Sequence, residues 1–146
     1  MRVRELLESR MRSVITTAPS TAIMEAMELL IVNQISALPV VDDTGSLVGI
    51  ISDKDIFKRI FTEPAHFQQT QVRDLMTTDL IIGVPDDEIP YIAGVMTTNR
   101  IRHVPIMEGD RLVGLISVGD IVKTQMEDAQ IENRYLWQYI NGTYPG

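Results

Sequence analysis

A chain that holds two copies of one folding unit has little freedom in its architecture, because both copies meet the same packing problem and their solutions must fit each other. The stretch Leu47 to Lys58, LVGIISDKDIFK, lies over Leu112 to Lys123, LVGLISVGDIVK, without a gap, and eight of the twelve positions are identical. Upstream, Leu38-Pro39-Val40 matches Val104-Pro105-Ile106 and Pro19 matches Pro85, the offset changing from 65 to 66 because the second turn is one residue shorter. The leading segments agree too, Val3 to Leu7 (VRELL) with Val72 to Met76 (VRDLM). The expected division is 1–70 for the first repeat with its leading segment and linker, 71–126 for the second repeat, and 127–146 for a C-terminal helix and frayed tail.

Within each unit helical and strand periodicities alternate. After Pro19, apolar Ile23, Ala26, Met27, Leu30 and Ile31 fall on one helical face, with Ser20 or Thr21 as the expected N-cap. The second copy has Ile89, Ile92, Ala93 and Met96 behind Asp86 and Asp87, which suit the positive end of a helix dipole; Pro90 is tolerated in the first turn, where its missing N–H has no helical partner. Two short apolar runs follow, Leu38 to Val41 and Leu47 to Ile51, joined by Asp42-Asp-Thr-Gly45, a hairpin signature repeated as Glu108-Gly-Asp-Arg111. A second helix carries Ile56, Phe57, Ile60 and Phe61 on one face, mirrored by Ile121, Val122 and Met126. The unit reads β-α-β-β-α, an α/β (α+β) half-domain. Its continuous apolar strands ask for cover on both sheet faces, and helices on one side leave the other face for the second repeat. The two halves are therefore expected to pack sheet to sheet about a pseudo-twofold axis, with two clefts between them and a polar linker from Phe61 to Gln71.

Composition narrows the functional classes. The 146 residues carry a formal charge of −7, no cysteine and 45% hydrophobic residues, enough for one core or two small halves that share one. The acidic balance disfavours nucleic acid and anionic membranes as partners, and no apolar run reaches the ~20 residues of a membrane-spanning helix. Without cysteine there is no disulfide framework, thiolate zinc site or Cys nucleophile, and the expected address is cytoplasmic. HExxH, P-loop and GxSxG signatures are missing, so no catalysis is expected.

Two further motifs stand at matching places, Gly49-Ile-Ile-Ser52-Asp-Lys-Asp55 and Gly114-Leu-Ile-Ser117-Val-Gly-Asp120. With the strand proline and the acidic-Gly turn before each, the chain from about 1 to 126 resembles the tandem cystathionine-β-synthase (CBS) domain pair, or Bateman module. The resemblance implies binding of adenosine nucleotides, AMP, ADP or ATP, or of S-adenosylmethionine, in composite clefts, without a metal. It also implies that Asp55 and Asp120 hold ribose hydroxyls and that Ser52 and Ser117 meet phosphate. One cleft would join Ser52 and Asp55 to Ile101, Arg102 and His103, and the other would join Ser117 and Asp120 to Thr17, Ala22, Ile35, Ser36 and Ala37. Arg102 and His103 lead to the expectation that the Asp55 cleft prefers the more highly charged nucleotide.

The motif also has a purely local reading. Ser-x-x-Asp at a helix start is a capping-box variant, so Ser52 with Asp55 and Ser117 with Asp120 satisfy orphan N–H groups whether or not they meet a ligand. The Asp42-Asp43 and Asp86-Asp87 pairs read as turn and cap residues, the eight methionines as packing, and His66 as part of the linker. The tail places Ile131, Tyr135, Leu136 and Ile140 along one side with Trp137 and Tyr139 beside them, a stripe for docking on a neighbouring subunit or back onto the module. The resemblance favours a homodimer, with an effector protein as a further partner. The alternative to a nucleotide sensor is a dimerisation or partner-docking scaffold whose clefts are structural.

Overall fold

The computed structural model describes residues 1–10 and 13–140, and the backbone alone for residues 130–132, 135 and 137–140. In chain order the elements are α1 (Val3–Glu8), α2 (Ile23–Asn33), β1 (Ala37–Val41), β2 (Leu47–Ser52), α3 (Asp53–Thr62), a 3₁₀ helix (Pro64–Gln69), α4 (Val72–Leu75), α5 (Ile89–Asn99), β3 (His103–Glu108), β4 (Arg111–Ser117) and α6 (Val118–Ile140). Each repeat is an antiparallel hairpin with a helix before it and a helix after it, and the two face each other about a pseudo-twofold axis.

The hairpins share one construction. Pairing of β1 with β2 shifts register between Val40 and Val41, and pairing of β3 with β4 shifts between Ile106 and Met107. Gly45 (φ 82°) and Gly109 (φ 63°) supply the left-handed residue of each turn. In the first turn Asp42 Oδ1 accepts from the amides of Thr44 and Ser46, both at 3.0 Å, and the Thr44 hydroxyl is the main reason that the Asp42 carboxyl is held below its usual range.

The leading strand of each unit is a single residue. Thr17 donates to the Pro39 carbonyl (3.0 Å) and accepts from Val41 (2.9 Å), a parallel bridge that Gly83 repeats with Pro105 and Met107. Two residues further on, where the ladder needs its next donor, stand Pro19 and Pro85, which have no N–H to give. The helix starts also differ from expectation. The N-caps of α2 and α5 are Ala22 and Glu88 rather than Ser20 or Thr21 and Asp86 or Asp87, and neither uses its side chain. Thr21 and Asp87 instead brace the preceding turns, accepting from the amides of Ala18 and Val84. The first helical N–H groups go elsewhere: Ile23 donates to the Thr70 carbonyl and Ile89 to the Met1 carbonyl.

Those two bonds reveal an exchange. The segment that leads into each repeat is built into the core of the other. One buried cluster holds Ile23, Ala26, Leu30, Leu38, Val40, Ile51 and Ile56 together with Val72 from α4, and Leu75 and Met76 pack against it. Its counterpart holds Ile89, Ile92, Met96, Val104, Ile106, Ile116 and Ile121 together with Val3 and Leu6 from α1. The backbone repeats the pattern: Val3 and Arg4 donate to Asp87 and Pro85, as Val72 and Arg73 donate to Thr21 and Pro19. Val3 and Val72 are fully buried, a burial worth about 1.5–3 kcal/mol for a side chain of this size. The apolar face expected of α3 divides, since Ile56 is buried whereas Phe57 and Phe61 are 65% and 88% exposed. Of the tail stripe, Leu136 is exposed; Ile131, Tyr135, Trp137, Tyr139 and Ile140 lie outside the described side chains, and the expected fraying of 141–146 lies outside the described residues.

The crossing explains the motif glycines. A Cβ on Gly49 would sit 2.8 Å from the Met76 sulfur and 3.0 Å from the Thr77 carbonyl, and one on Gly114 would sit 2.5 Å from Leu7 Cδ2. Gly94, in the middle of α5, has nothing within 4 Å of its Cβ position. Gly49→Ala is therefore expected to lower stability by about 1–3 kcal/mol, and Gly94→Ala to raise it by about 0.5–1 kcal/mol. Urea denaturation of the two variants measures both, and equal effects would contradict the crossing.

Candidate functional site

At the end of each hairpin the strand runs directly into a helix, and the turn between them is a capping box of the same design. Ser117 donates from its amide (2.7 Å) and hydroxyl (2.9 Å) to Asp120 Oδ2, while the Asp120 amide donates to Ser117 Oγ at 3.2 Å. Ser52 and Asp55 repeat it at 3.0, 3.0 and 3.3 Å. The local reading of the motif is thus realised in both copies. In each box one carboxylate oxygen carries the cap, so the other remains for a ligand.

A cleft of about 1100 Å³ opens on the Asp120 side. Its walls come from both repeats: Ser117, Asp120, Lys123 and Thr124 from α6 and its cap, and Ile35, Ser36 and Ala37 from the start of β1. The segment after α1 supplies a third wall through Ser9, Arg10, Ser13, Val14 and Ile15. Arg10 reaches across it, donating to the Leu115 carbonyl (2.8 Å) and pairing with Asp120 Oδ2, with both side chains about 30% exposed. The cleft contains three cationic or protonatable groups, Arg10, Lys123 and His103, against Asp120 and Glu127.

The structure distributes the sequence-derived candidates unevenly. Ser117, Asp120, Ile35, Ser36 and Ala37 share the large cleft. Thr17 and Ala22 do not line it: Thr17 is buried with its hydroxyl unpartnered, and Ala22 is an exposed helix cap. His103 lines this cleft rather than one with Asp55, and its Nε2 lies 2.9 Å from Ser36 Oγ across the repeat boundary. Arg102 lines a second cleft of about 510 Å³ with Val118, Gly119, Val122, Lys123, Met126 and Glu127. Consecutive residues entering a strand point to opposite sides, which separates Arg102 from His103. Ser52, Asp55 and Ile101 line neither cleft. Arg10 and Lys123 were not singled out by sequence. Lys123 had a signal, since Lys58 matches it in the other copy, whereas Arg10 has no counterpart of its own charge.

His103 is the group in this cleft whose protonation is displaced. Burial lowers its pKa below the ordinary 6.5, Arg102 lowers it further, and Asp53 and Asp120 pull the other way. The folded chain thus favours neutral imidazole, and on acidification the unfolded chain takes up its proton first. The stability contribution is complete above about pH 6.5 and is lost as pH falls through the window beneath that value. The pH dependence of the denaturation midpoint between pH 5 and 7 is expected to be shallower in His103→Gln than in the unsubstituted chain. Identical slopes would exclude His103 as its source.

Among the described residues no group of His, Asp or Glu could hold a metal ion, and no helix is long and apolar enough to cross a membrane. Comparison with known proteins bears directly on the repeats. The CBS domain family model matches residues 3–62 and again 72–127. The chain is similar to a CBS domain-containing mitochondrial protein of Arabidopsis thaliana, CBSX3, at 30% identity over 126 residues, covering 84% of this chain and 61% of that protein. Among solved structures it is similar to a CBS domain pair in complex with 5-methylthioadenosine and S-adenosyl-L-methionine (TM-score 0.79, 29% identity, 88% of this chain and 98% of the other). It is also similar to CBSX2 in complex with AMP (TM-score 0.73, 26% identity, 88% and 98%). With a family match on each repeat and the same paired half-domains in its structural neighbours, the chain belongs to the CBS domain family.

Proposed function

We propose that the protein is a regulatory module that senses an adenosine nucleotide by binding it in the Asp120 cleft, with no catalytic step of its own. The observation that carries this reading is the composite cleft itself, in which a helix start, a carboxylate with one oxygen to spare, and the side chains of Arg10, Lys123 and His103 converge between the repeats. A vicinal diol suits the carboxylate, and phosphate suits the helix start and the cations. The cleft's volume is that of a small-molecule site. Structural relatives crystallised with AMP and with S-adenosyl-L-methionine support an adenosine ligand, and the positive side chains favour one that carries phosphate. The exposed Ile31, Val32, Phe57 and Phe61 on α2 and α3 suit the homodimer or effector contact through which such a sensor reports.

Thermal melts with AMP, ADP, ATP and S-adenosylmethionine test the reading. A ligand at 100 times its Kd adds about 2.7 kcal/mol to the folded state, so the midpoint is expected to rise by several degrees with at least one phosphate-bearing ligand and to rise less in Asp120→Asn. An unchanged midpoint with all four at millimolar concentration would favour the scaffold reading, in which both capping boxes serve only their helices.

A further inference from the structure

The two leading segments are alike up to Leu7 and Met76, and then they part. From Leu7 to the bridging Thr17 the chain is three residues longer than from Met76 to the equivalent Gly83. In the second copy the shorter connection turns at once into a backbone bridge: Thr77 donates to the Ile50 carbonyl (2.8 Å) and accepts from the Ile50 amide (3.0 Å), so the chain is fastened along β2 beside Ser52 and Asp55. In the first copy α1 continues past Leu7, with the Ser9 hydroxyl donating to the Leu6 carbonyl. The carbonyl equivalent to that of Ile50, on Leu115, accepts from the guanidinium of Arg10 instead. A side chain has replaced a backbone bridge. On that side Ser9, Arg10, Ser13, Val14 and Ile15 line the large cleft, and on the other side Ser52 and Asp55 line neither cleft.

The charges follow the same asymmetry. Three residues after Leu7 stands Arg10, and three after Met76 stands the exposed Asp79. The position that holds a guanidinium beside Asp120 in one copy thus holds a carboxylate in the other. Arg10 at present pairs with Asp120 Oδ2, the oxygen that also carries the cap, next to the Oδ1 left for a diol. A guanidinium matches phosphate at least as well as it matches carboxylate.

Resting on the reading of the Asp120 cleft as a nucleotide site, we propose that each chain takes a single anionic adenosine ligand, in that cleft alone, and that Arg10 is its specificity-determining residue. On binding, Arg10 transfers from Asp120 Oδ2 to the phosphate, while Oδ1 accepts from the ribose hydroxyls. Arg10 thus discriminates by charge: a phosphate draws it from Asp120, whereas an uncharged ligand gives it nothing in exchange.

Isothermal titration of the full chain with AMP and with adenosine tests this. The expected results are one AMP per chain, affinity for AMP about tenfold or more weaker in Arg10→Ala, partial recovery in Arg10→Lys, and adenosine affinity unchanged or increased by Arg10→Ala. Loss of AMP and adenosine affinity in equal proportion would mean that Arg10 only holds the wall in place, and would overturn its role in specificity. Two AMP per chain, or full AMP affinity in Arg10→Ala, would overturn the inference while leaving the nucleotide reading intact. No heat with either ligand in the unsubstituted chain, together with unchanged melts, would overturn the nucleotide reading and this inference with it.

Discussion

The exchange of leading segments is the contact on which the rest of the molecule depends. Each half has a two-stranded hairpin and two helices, too little to enclose a core, and α1 or α4, the segment that leads into the other repeat, closes it. The same crossing fixes the helix starts, because the carbonyls of Thr70 and Met1 take the first N–H groups of α2 and α5. It also places glycine at 49 and 114, where Met76 and Leu7 pass over the strands. The Gly of the motif therefore makes room for the protein's own chain, and the Ser and Asp that follow are held by a cap whether or not a ligand is present.

The proposed site lies where this symmetry fails. Arg10 and the longer connection after α1 belong to one copy only, and they turn one of two equivalent strand-to-helix junctions into a walled cleft. His103 and Ser36 meet where the halves adjoin, so a group whose pKa burial lowers is also one that both repeats touch. A ligand there would contact α6, the start of β1 and the segment hanging from α1 together, which is the geometry a sensor needs if occupancy is to be felt outside its site.

Much of this was legible before any coordinates. The near-identity of Leu47–Lys58 and Leu112–Lys123 gave the two halves, and the spacing of Ile23, Ala26 and Leu30 gave a helix that buries those three side chains. Gly45 and Gly109 marked the turns because positive φ is nearly free only for glycine. The cap residues of α2 and α5 were misplaced because sequence reasoning seeks a side-chain acceptor, whereas the partners are carbonyls some fifty or more residues away. The exchange left no trace for a similar reason: Val3 and Val72 open the similar stretches VRELL and VRDLM, and nothing local says which core each one joins. Arg10 escaped notice because it sits where the repeat breaks down, and a search for self-similarity discards such positions.

The exchange has a consequence for how the chain assembles. As synthesis proceeds, the first hairpin and its helices emerge without the valine that completes their core, while α1 waits with Val3 and Leu6 for a core whose last member, Ile121, lies more than a hundred residues further along the chain. The first half can close once α4 follows α3, ten residues later, whereas the second needs α1 across a loop of more than eighty residues, from Val3 to Ile89, whose entropy must be overcome first. Closure of the two cores therefore follows chain order, the second completing only when β3, β4 and α6 have joined α1. A chain truncated after residue 62 would hold an α1 without a core and a core without an α4, and a second truncated copy could not repair it, since neither copy has either missing piece.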